Sequence, residues 1–240
     1  MQSISADSTE YMRYHGGLPD GGPLYTETDL SNGLIVEPWN AASSLLFLIP
    51  AAYWLWRVWS QRQQYRVLIW GIVFLFLGGL GSTFFHAFRQ YPFFLAMDVV
   101  PMQILMLIVL TLCWSKITPQ WWHGVLVVAG SLIIQGIIYG VLPLASHTKI
   151  NVGYAFTGLL LFTPLIIISV RTRYQHLPDL VLAIGLLVLA LFFREVDARE
   201  NFIPLPMGTH FLWHASSAIA AHFLARYLYW LTPLSLRSAK

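Results

Sequence analysis

Charge is scarce in this sequence. Only 10% of its 240 residues are Asp, Glu, Lys or Arg, beside 57% hydrophobic residues and a mean hydropathy of +0.62, whereas a soluble domain carries about 25% charged residues. So little charge cannot coat a water-facing surface, which excludes a soluble globular enzyme. Basic residues are not concentrated either: 14 Lys+Arg stand against 11 Asp+Glu. Their spread along the chain excludes nucleic acid as the partner behind a pI near 9.1. The partner implied is the lipid bilayer. Cysteine is nearly missing. Cys113 alone excludes an internal disulfide and a cysteine-based zinc site, so any metal must be held by His, Asp or Glu. The first 36 residues lack the basic start, apolar core and small-residue cleavage pattern of a signal peptide, and are expected to stay on the mature protein. No linker, second domain or internal repeat stands out.

Long apolar runs are what the sequence has in quantity. Backbone amides must be satisfied internally in hydrocarbon, so continuous apolar runs of roughly 20 residues read as transmembrane helices. Seven are expected: Pro38 to Trp59, Val67 to Phe88, Phe94 to Trp114, Trp122 to Leu144, Asn151 to Val170, Leu177 to Phe193, and Met207 to Leu231. The expected fold is an all-α, polytopic integral membrane protein. Residues 1–36 form a polar N-terminal segment, 37–232 the seven-helix domain and 233–240 a short tail. Alternate loops sort Arg57, Arg62, Arg66, Lys116, Arg171, Arg173, Arg226, Arg237 and Lys240 to one side, and Arg13, Arg89, Lys149, Arg194 and Arg199 to the other. The richer side is expected to be cytoplasmic. The N-terminus is then outside or lumenal, in a bacterial inner membrane or a eukaryotic endomembrane.

An ionisable group in mid-membrane costs roughly 2.5 to 3.5 kcal/mol on insertion scales, so each one inside a span needs a partner. Ser82 and His86 share one face of the second span at i, i+4, Asp98 lies near the start of the third, and His210 and His214 open the seventh, again at i, i+4. Under the charge-derived topology all five fall in the same, non-cytoplasmic leaflet. A lone Ser or His in such a helix also has a plainer use, a hydrogen bond to a neighbouring helix worth about 0.6 kcal/mol. Three His and an Asp at one depth favour a metal instead. His86, His210 and His214 with an open fourth position describe a catalytic zinc site. Zinc there lowers the pKa of water to about 7 and polarises a carbonyl. Asp98 suits general acid-base transfer and Ser82 suits oxyanion stabilisation. His222 lies about 12 Å along the helix from His214, too far to share the ion, and reads as packing or cavity lining. His15, His123, His147 and His176 read as solvated.

The stretches Gly81-Ser82-Thr83-Phe84-Phe85-His86, Asp98-Val99-Val100-Pro101-Met102, Gly208-Thr209-His210-Phe211-Leu212-Trp213-His214 and Glu37-Pro38-Trp39-Asn40-Ala41-Ala42-Ser43 together resemble the alkaline ceramidases, in order and spacing, from about Tyr25 onward. The wider superfamily, which includes the adiponectin and progestin receptors, has a similar Ser, His, Asp and paired-His pattern. The resemblance implies that His86, His210 and His214 hold zinc, and that Asp98 and Ser82 flank the attacking water. It implies hydrolysis of a ceramide-like amide to a sphingoid base and a fatty acid. It also implies a calcium site before the first helix. Glu37 matches the Glu that opens that helix, and Glu27 and Asp29 stand in the upstream run, whose leading acidic residue is Leu24 here. Oxygen ligands suit calcium. The alternative is a solvated acidic loop with Glu37 capping the first helix. The cysteines of the family's loop crosslink are replaced at both halves, by Thr26 and around Asn201, which leaves Asp197 or a bound ion to hold the loop.

Three functions stay open on these residues. The first is a zinc amidase acting on a ceramide-like N-acyl lipid, with N-acyl ethanolamines, other amides or esters as further substrates. Trp39, Asn40, Tyr154 and Trp213 are its candidates for head-group contacts. The second is a receptor-like or lipid-sensing protein with a structural metal; such relatives tend to have the opposite orientation. The third is a transporter with Asp98 and the histidines as a proton relay and no zinc. Cysteines introduced into the N-terminal segment should react with a membrane-impermeant maleimide from the non-cytoplasmic side; labelling from the cytoplasm would reverse the topology.

Overall fold

A computed structural model describes residues 18–30, 33–142, 146–197, 203–234 and 236. His15, Asn201, Arg13, Arg199, Arg237 and Lys240 lie outside them, as does the side chain of His147. The described residues are 78% helical and contain no strand, the all-α architecture expected. Helix α1 is Pro38–Gln61, α2 Arg66–Phe88, α3 Pro92–Ile117, α4 Trp121–Val141, α5 Ser146–Arg171, α6 Leu177–Asp197 and α7 His210–Leu231. Within α1 a 3-10 turn over Leu45–Phe47 interrupts the α-helix. Pro50 follows it and has no N–H to offer the Leu46 carbonyl, so the regular ladder cannot run through.

Helices α1 to α6 are long and apolar enough to cross a membrane. Their outward faces carry Ile49, Trp70, Ile133, Leu159, Ile166 and Val181, all well exposed. Large apolar side chains in that number suit lipid and not water, as in a multi-pass membrane protein. Helix α7 is 22 residues long but carries His210, His214, Ser216, Ser217, His222 and Arg226, so its composition is less apolar than theirs.

Several boundaries differ from expectation: α3 runs on to Ile117, α4 stops at Val141 and α5 begins at Ser146, and two further ends have a clear physical cause. α6 continues through Arg194, Glu195 and Val196 to Asp197, where the sequence pattern had placed a loop after Phe193. The first charge after an apolar run marks the edge of hydrophobicity and not the end of the helix. α7 begins at His210 and not Met207. Gly208 has φ +68°, a left-handed conformation that no helix residue adopts and that glycine tolerates.

The helices pack as neighbours, α2 on α3 and α6 on α7 most extensively, with α1 laid against both α2 and α7. α5 packs on α3 and α4 rather than on α6. Small residues let α2 and α3 approach closely: a Cβ at Gly81 would overlap the Met97 carbonyl. Between them the chain reverses in three residues. Arg89 stops α2 in the left-handed conformation (φ 49°), and Pro92 starts α3 behind extended Tyr91.

Burial divides the bundle by chemistry. The apolar core, including Trp54, Val58, Leu68, Cys113, Ile168, Tyr227 and Leu231, comes from the C-terminal half of α1, the first half of α2 and the last halves of α3, α5 and α7. The opposite end buries Asp20, Glu37, Asn40, Ser43, Ser44, Ser82, His86, Arg89, Asp197, Thr209, His210 and His214. Gly81→Ala should force α2 from α3 at that junction and destabilise the protein by about 1–3 kcal/mol, in the range of core overpacking. Thermal unfolding in detergent checks this, and an unchanged melting temperature would contradict the close approach.

Candidate metal centre

Antiparallel neighbours bring alternate helix ends together. The C-terminal end of α2 therefore meets the N-terminal ends of α1, α3 and α7, and each contributes polar groups on one face. His86, His210 and His214 converge there, and their candidate ligand atoms all lie within 4.8 Å of one another. The ring centroids stand 5.2 Å apart for His86 and His210, 4.9 Å for His86 and His214, and 4.7 Å for His210 and His214. All three residues are buried.

The outer nitrogens of two rings are held. His86 Nδ1 pairs with the Glu37 carboxylate through Oε2. His214 Nδ1 lies 2.9 Å from Ser43 Oγ and 3.2 Å from Ser44 Oγ, and both hydroxyls reach the Asn40 carbonyl, at 3.0 Å and 2.8 Å. With Nδ1–H donated to these oxygens, Nε2 is left with its lone pair, the tautomer a metal requires. The histidine nitrogens His86 Nε2 and His210 Nδ1 are buried without a hydrogen-bond partner. Buried polar atoms are rarely left so. Three converging imidazoles, two of them with an orphaned nitrogen, fit a metal ion as their missing partner.

Ser82 and Asp98 join the same group. Ser44 Oγ lies 3.0 Å from Ser82 Oγ, and Asp98 is close to both Ser82 and His86. The five residues singled out by spacing are therefore together.

The N-terminal segment roofs the centre. The Tyr25 ring lies 4.1 Å from His210 and 5.1 Å from His86, centroid to centroid. Thr26 binds Asp197 twice, its N–H to Oδ2 at 3.2 Å and its hydroxyl to the backbone carbonyl at 3.0 Å. Asp197 Oδ1 also accepts from the amides of Thr209 (2.6 Å) and His210 (3.1 Å). One carboxylate thus ties the segment, the end of α6 and the start of α7. A Cβ at Gly208 would meet the Asp197 carboxylate, so that residue must be glycine for space as well as for φ.

The acidic residues set apart for calcium are otherwise engaged. Glu27 accepts from the amides of Trp39 (2.6 Å) and Asn40 (2.8 Å) and so caps α1, the part the sequence reading gave to Glu37, whose own side chain makes no cap bond. Burial raises the Glu27 pKa, opposed by those two amides. Glu37 Oε1 faces the Arg89 guanidinium and the Thr28 hydroxyl (2.5 Å), while Oε2 faces His86 and Asn40 Nδ2 (3.4 Å). Burial alone would raise its pKa, but His86, Arg89 and Thr28 hold it below the ordinary carboxylate range. Asp29 is exposed. Among the described residues, the three histidines are the one group of metal-type ligands that comes together.

Sequence reasoning passed over Ser44, Asp20 and Arg89. Serines read as ordinary helix residues, and only the hydrogen bond between Asp20 and Arg89, 69 positions apart, reveals that pair. The other histidines stand away from the centre. His222 packs on Tyr53 and Trp54 beside a cleft of about 560 Å³ at the opposite end of the bundle. Contrary to a purely solvated reading, His123 closes a capping box with Gln120, and His176 lies 3.0 Å from Asp179. Of the head-group candidates, Trp39 lies tilted against Phe211, Tyr154 lies beside Trp213, and buried Asn40 Oδ1 has no partner.

No protein-family model matches the chain, and no curated protein matches it. Purified protein should carry about one equivalent of a transition-metal ion per chain, and His86→Ala, His210→Ala or His214→Ala should each lose it. Elemental analysis decides, and metal retained in all three variants would dissolve the site.

Proposed function

We propose that the protein is a zinc-dependent amidase of the membrane that hydrolyses the N-acyl bond of ceramide-like lipids, releasing a sphingoid base and a fatty acid. The observation that carries this reading is the convergence of three buried histidines at one end of an apolar helix bundle, with the Asp98 carboxylate close to His86. The resemblance of their flanking stretches to the alkaline ceramidases supplies the substrate class.

Three nitrogen donors without cysteine suit zinc, and an ion held by His86, His210 and His214 would supply Lewis acidity, making water a nucleophile and polarising the substrate carbonyl. Glu37 and Ser43/Ser44 fix the ring orientations from outside. Asp98, close to Ser82, takes a proton from water as its oxygen bonds to the acyl carbon. It returns that proton to the amide nitrogen as the C–N bond breaks, so acid and amine leave with all atoms accounted for. Tyr25, Trp39 and the N-terminal segment cover the site toward solvent. The acyl chain would lie along the apolar helices, and the separate packing of α5 and α6 supports entry from the bilayer. The charge-derived topology puts the centre toward the non-cytoplasmic leaflet of a bacterial inner membrane or a eukaryotic endomembrane.

Zinc-loaded protein in detergent should release fatty acid from a fluorescent ceramide, and Asp98→Asn should lower kcat by about 10² to 10⁴, the usual contribution of general acid-base catalysis. His214→Ala should abolish turnover. No product from wild type, or full turnover by either variant, refutes the proposal.

A further inference from the structure

A guanidinium buried at the end of a membrane helix requires compensation on every side. Arg89 is 1% exposed and sits three residues beyond His86. Its Nε bonds Asp20 Oδ2 at 2.5 Å, and its Nη2 bonds Asp20 Oδ1 at 3.3 Å and the Pro23 carbonyl at 2.7 Å. Nη1 bonds Glu37 Oε1. Four of the five N–H donors of the group are thereby used, and its flat faces lie over Phe85 (4.5 Å) and Tyr25 (5.4 Å). Asp20 is fixed in turn by the Gly22 amide at 2.8 Å. The residue holds a left-handed backbone (φ 49°) that glycine or asparagine would adopt more cheaply, so its side chain is what the position needs.

Glu37 makes that need specific. One oxygen faces Arg89 and the other faces His86. Without the guanidinium, two carboxylates, Asp20 and Glu37, would face a common space with no cation between them. Glu37 would then turn outward and release His86 Nδ1.

We propose that Arg89 is a positioning residue whose guanidinium serves as a built-in cation, holding Glu37 on His86 so that Nε2 faces the metal, and that it replaces any calcium ion at Glu37. The proposal rests on the metal reading of the three histidines. Both oxygens of Glu37 are already committed to protein donors, and Arg89 occupies the position from which another cation would reach it.

The full-length protein in detergent provides the test. Zinc affinity is read by competition with a chromophoric chelator, and the unfolding temperature of the metal-free form is read separately, for wild type, Arg89→Gln and Arg89→Lys. Arg89→Gln should weaken zinc binding about 10- to 100-fold, as loss of a ligand's outer partner does. Arg89→Lys, which keeps the charge without the fork, should recover part of that loss. Excess calcium chloride should change neither the wild-type zinc affinity nor the unfolding temperature of the metal-free form. Calcium-dependent zinc binding in wild type, or undiminished zinc affinity in Arg89→Gln, overturns the proposal. Should Arg89→Gln not fold, Arg89→Lys decides: weaker zinc binding at an unchanged metal-free unfolding temperature supports positioning, and full affinity refutes it. Wild type that takes up no zinc sinks the metal reading itself, whereas wild type that takes it up while Arg89→Gln is unaffected sinks the positioning role alone.

Discussion

The carboxylate of Glu37 is the joint on which the histidine end of the molecule depends. It is 0% exposed and meets His86 from α2, Arg89 from the turn after α2, Thr28 from the N-terminal segment and Asn40 from α1. A carboxylate carried out of water loses several kcal/mol of hydration, which only such a set of partners offsets, and removing one partner of a buried pair costs about 3–5 kcal/mol. Against a total stability of about 5–15 kcal/mol, these contacts cannot be lost one at a time without consequence. The orientation of the His86 ring is therefore coupled to the seating of the segment above it.

Asp197 does on the α6–α7 side what Glu37 does on the α1–α2 side. It receives the amides of Thr26, Thr209 and His210, so the start of α7 and hence His210 is fixed by a group on another helix. Between these two carboxylates lies the Tyr25 ring, close to both His86 and His210. The polar end is thus organised from its rim inward, while the far end is fixed by ordinary packing of Trp54, Cys113, Tyr227 and Leu231. Each end solves a different problem. The apolar end buries few polar groups, Asp179 and Ser169 among them, and is ordered mainly by packing, whereas the polar end is ordered mainly by hydrogen bonds.

How much of this was legible in the sequence follows from the reach of each signal. Hydrophobic runs gave seven helices, because a span must be apolar over its whole length, but they placed the ends of α6 and α7 wrongly where hydropathy and helix part company. His86, His210, His214, Ser82 and Asp98 stood out because a polar group inside an apolar run is costly and so conspicuous. Ser44 and Arg89 did not. A serine is unremarkable near a helix start, and an arginine in a three-residue turn reads as a solvated loop cation contributing to topology. Asp20 lies in a polar segment where one acid looks like another. Their meaning comes from contacts between residues far apart in the chain, which no local period or spacing encodes. The capping role is another case: the sequence puts Glu37 at the cap position, but only the folded loop shows that Glu27 reaches the amides.

Depth completes the argument for a lipid substrate. His86 is two residues from the end of α2, and His210 is the first residue of α7. At about 1.5 Å per residue, His86 and His214 lie within about 6 Å of the helix ends, which on the proposed reading puts the centre near the rim of the hydrocarbon layer. A ceramide-like amide joins its chains to the head group at that same level, with its alkyl tails extending toward the bilayer centre. On the proposed reading the tails then lie against the apolar half of the bundle while the scissile bond meets His86, His210, His214 and Asp98, and water arrives from the polar side beneath Tyr25. An amide buried in mid-chain would be held one or more helical turns below the reactive groups, and a head group bulkier than the gap under the N-terminal segment would be stopped above them. Substrate selection would then begin with the level at which the amide sits, before any side chain contacts the head group.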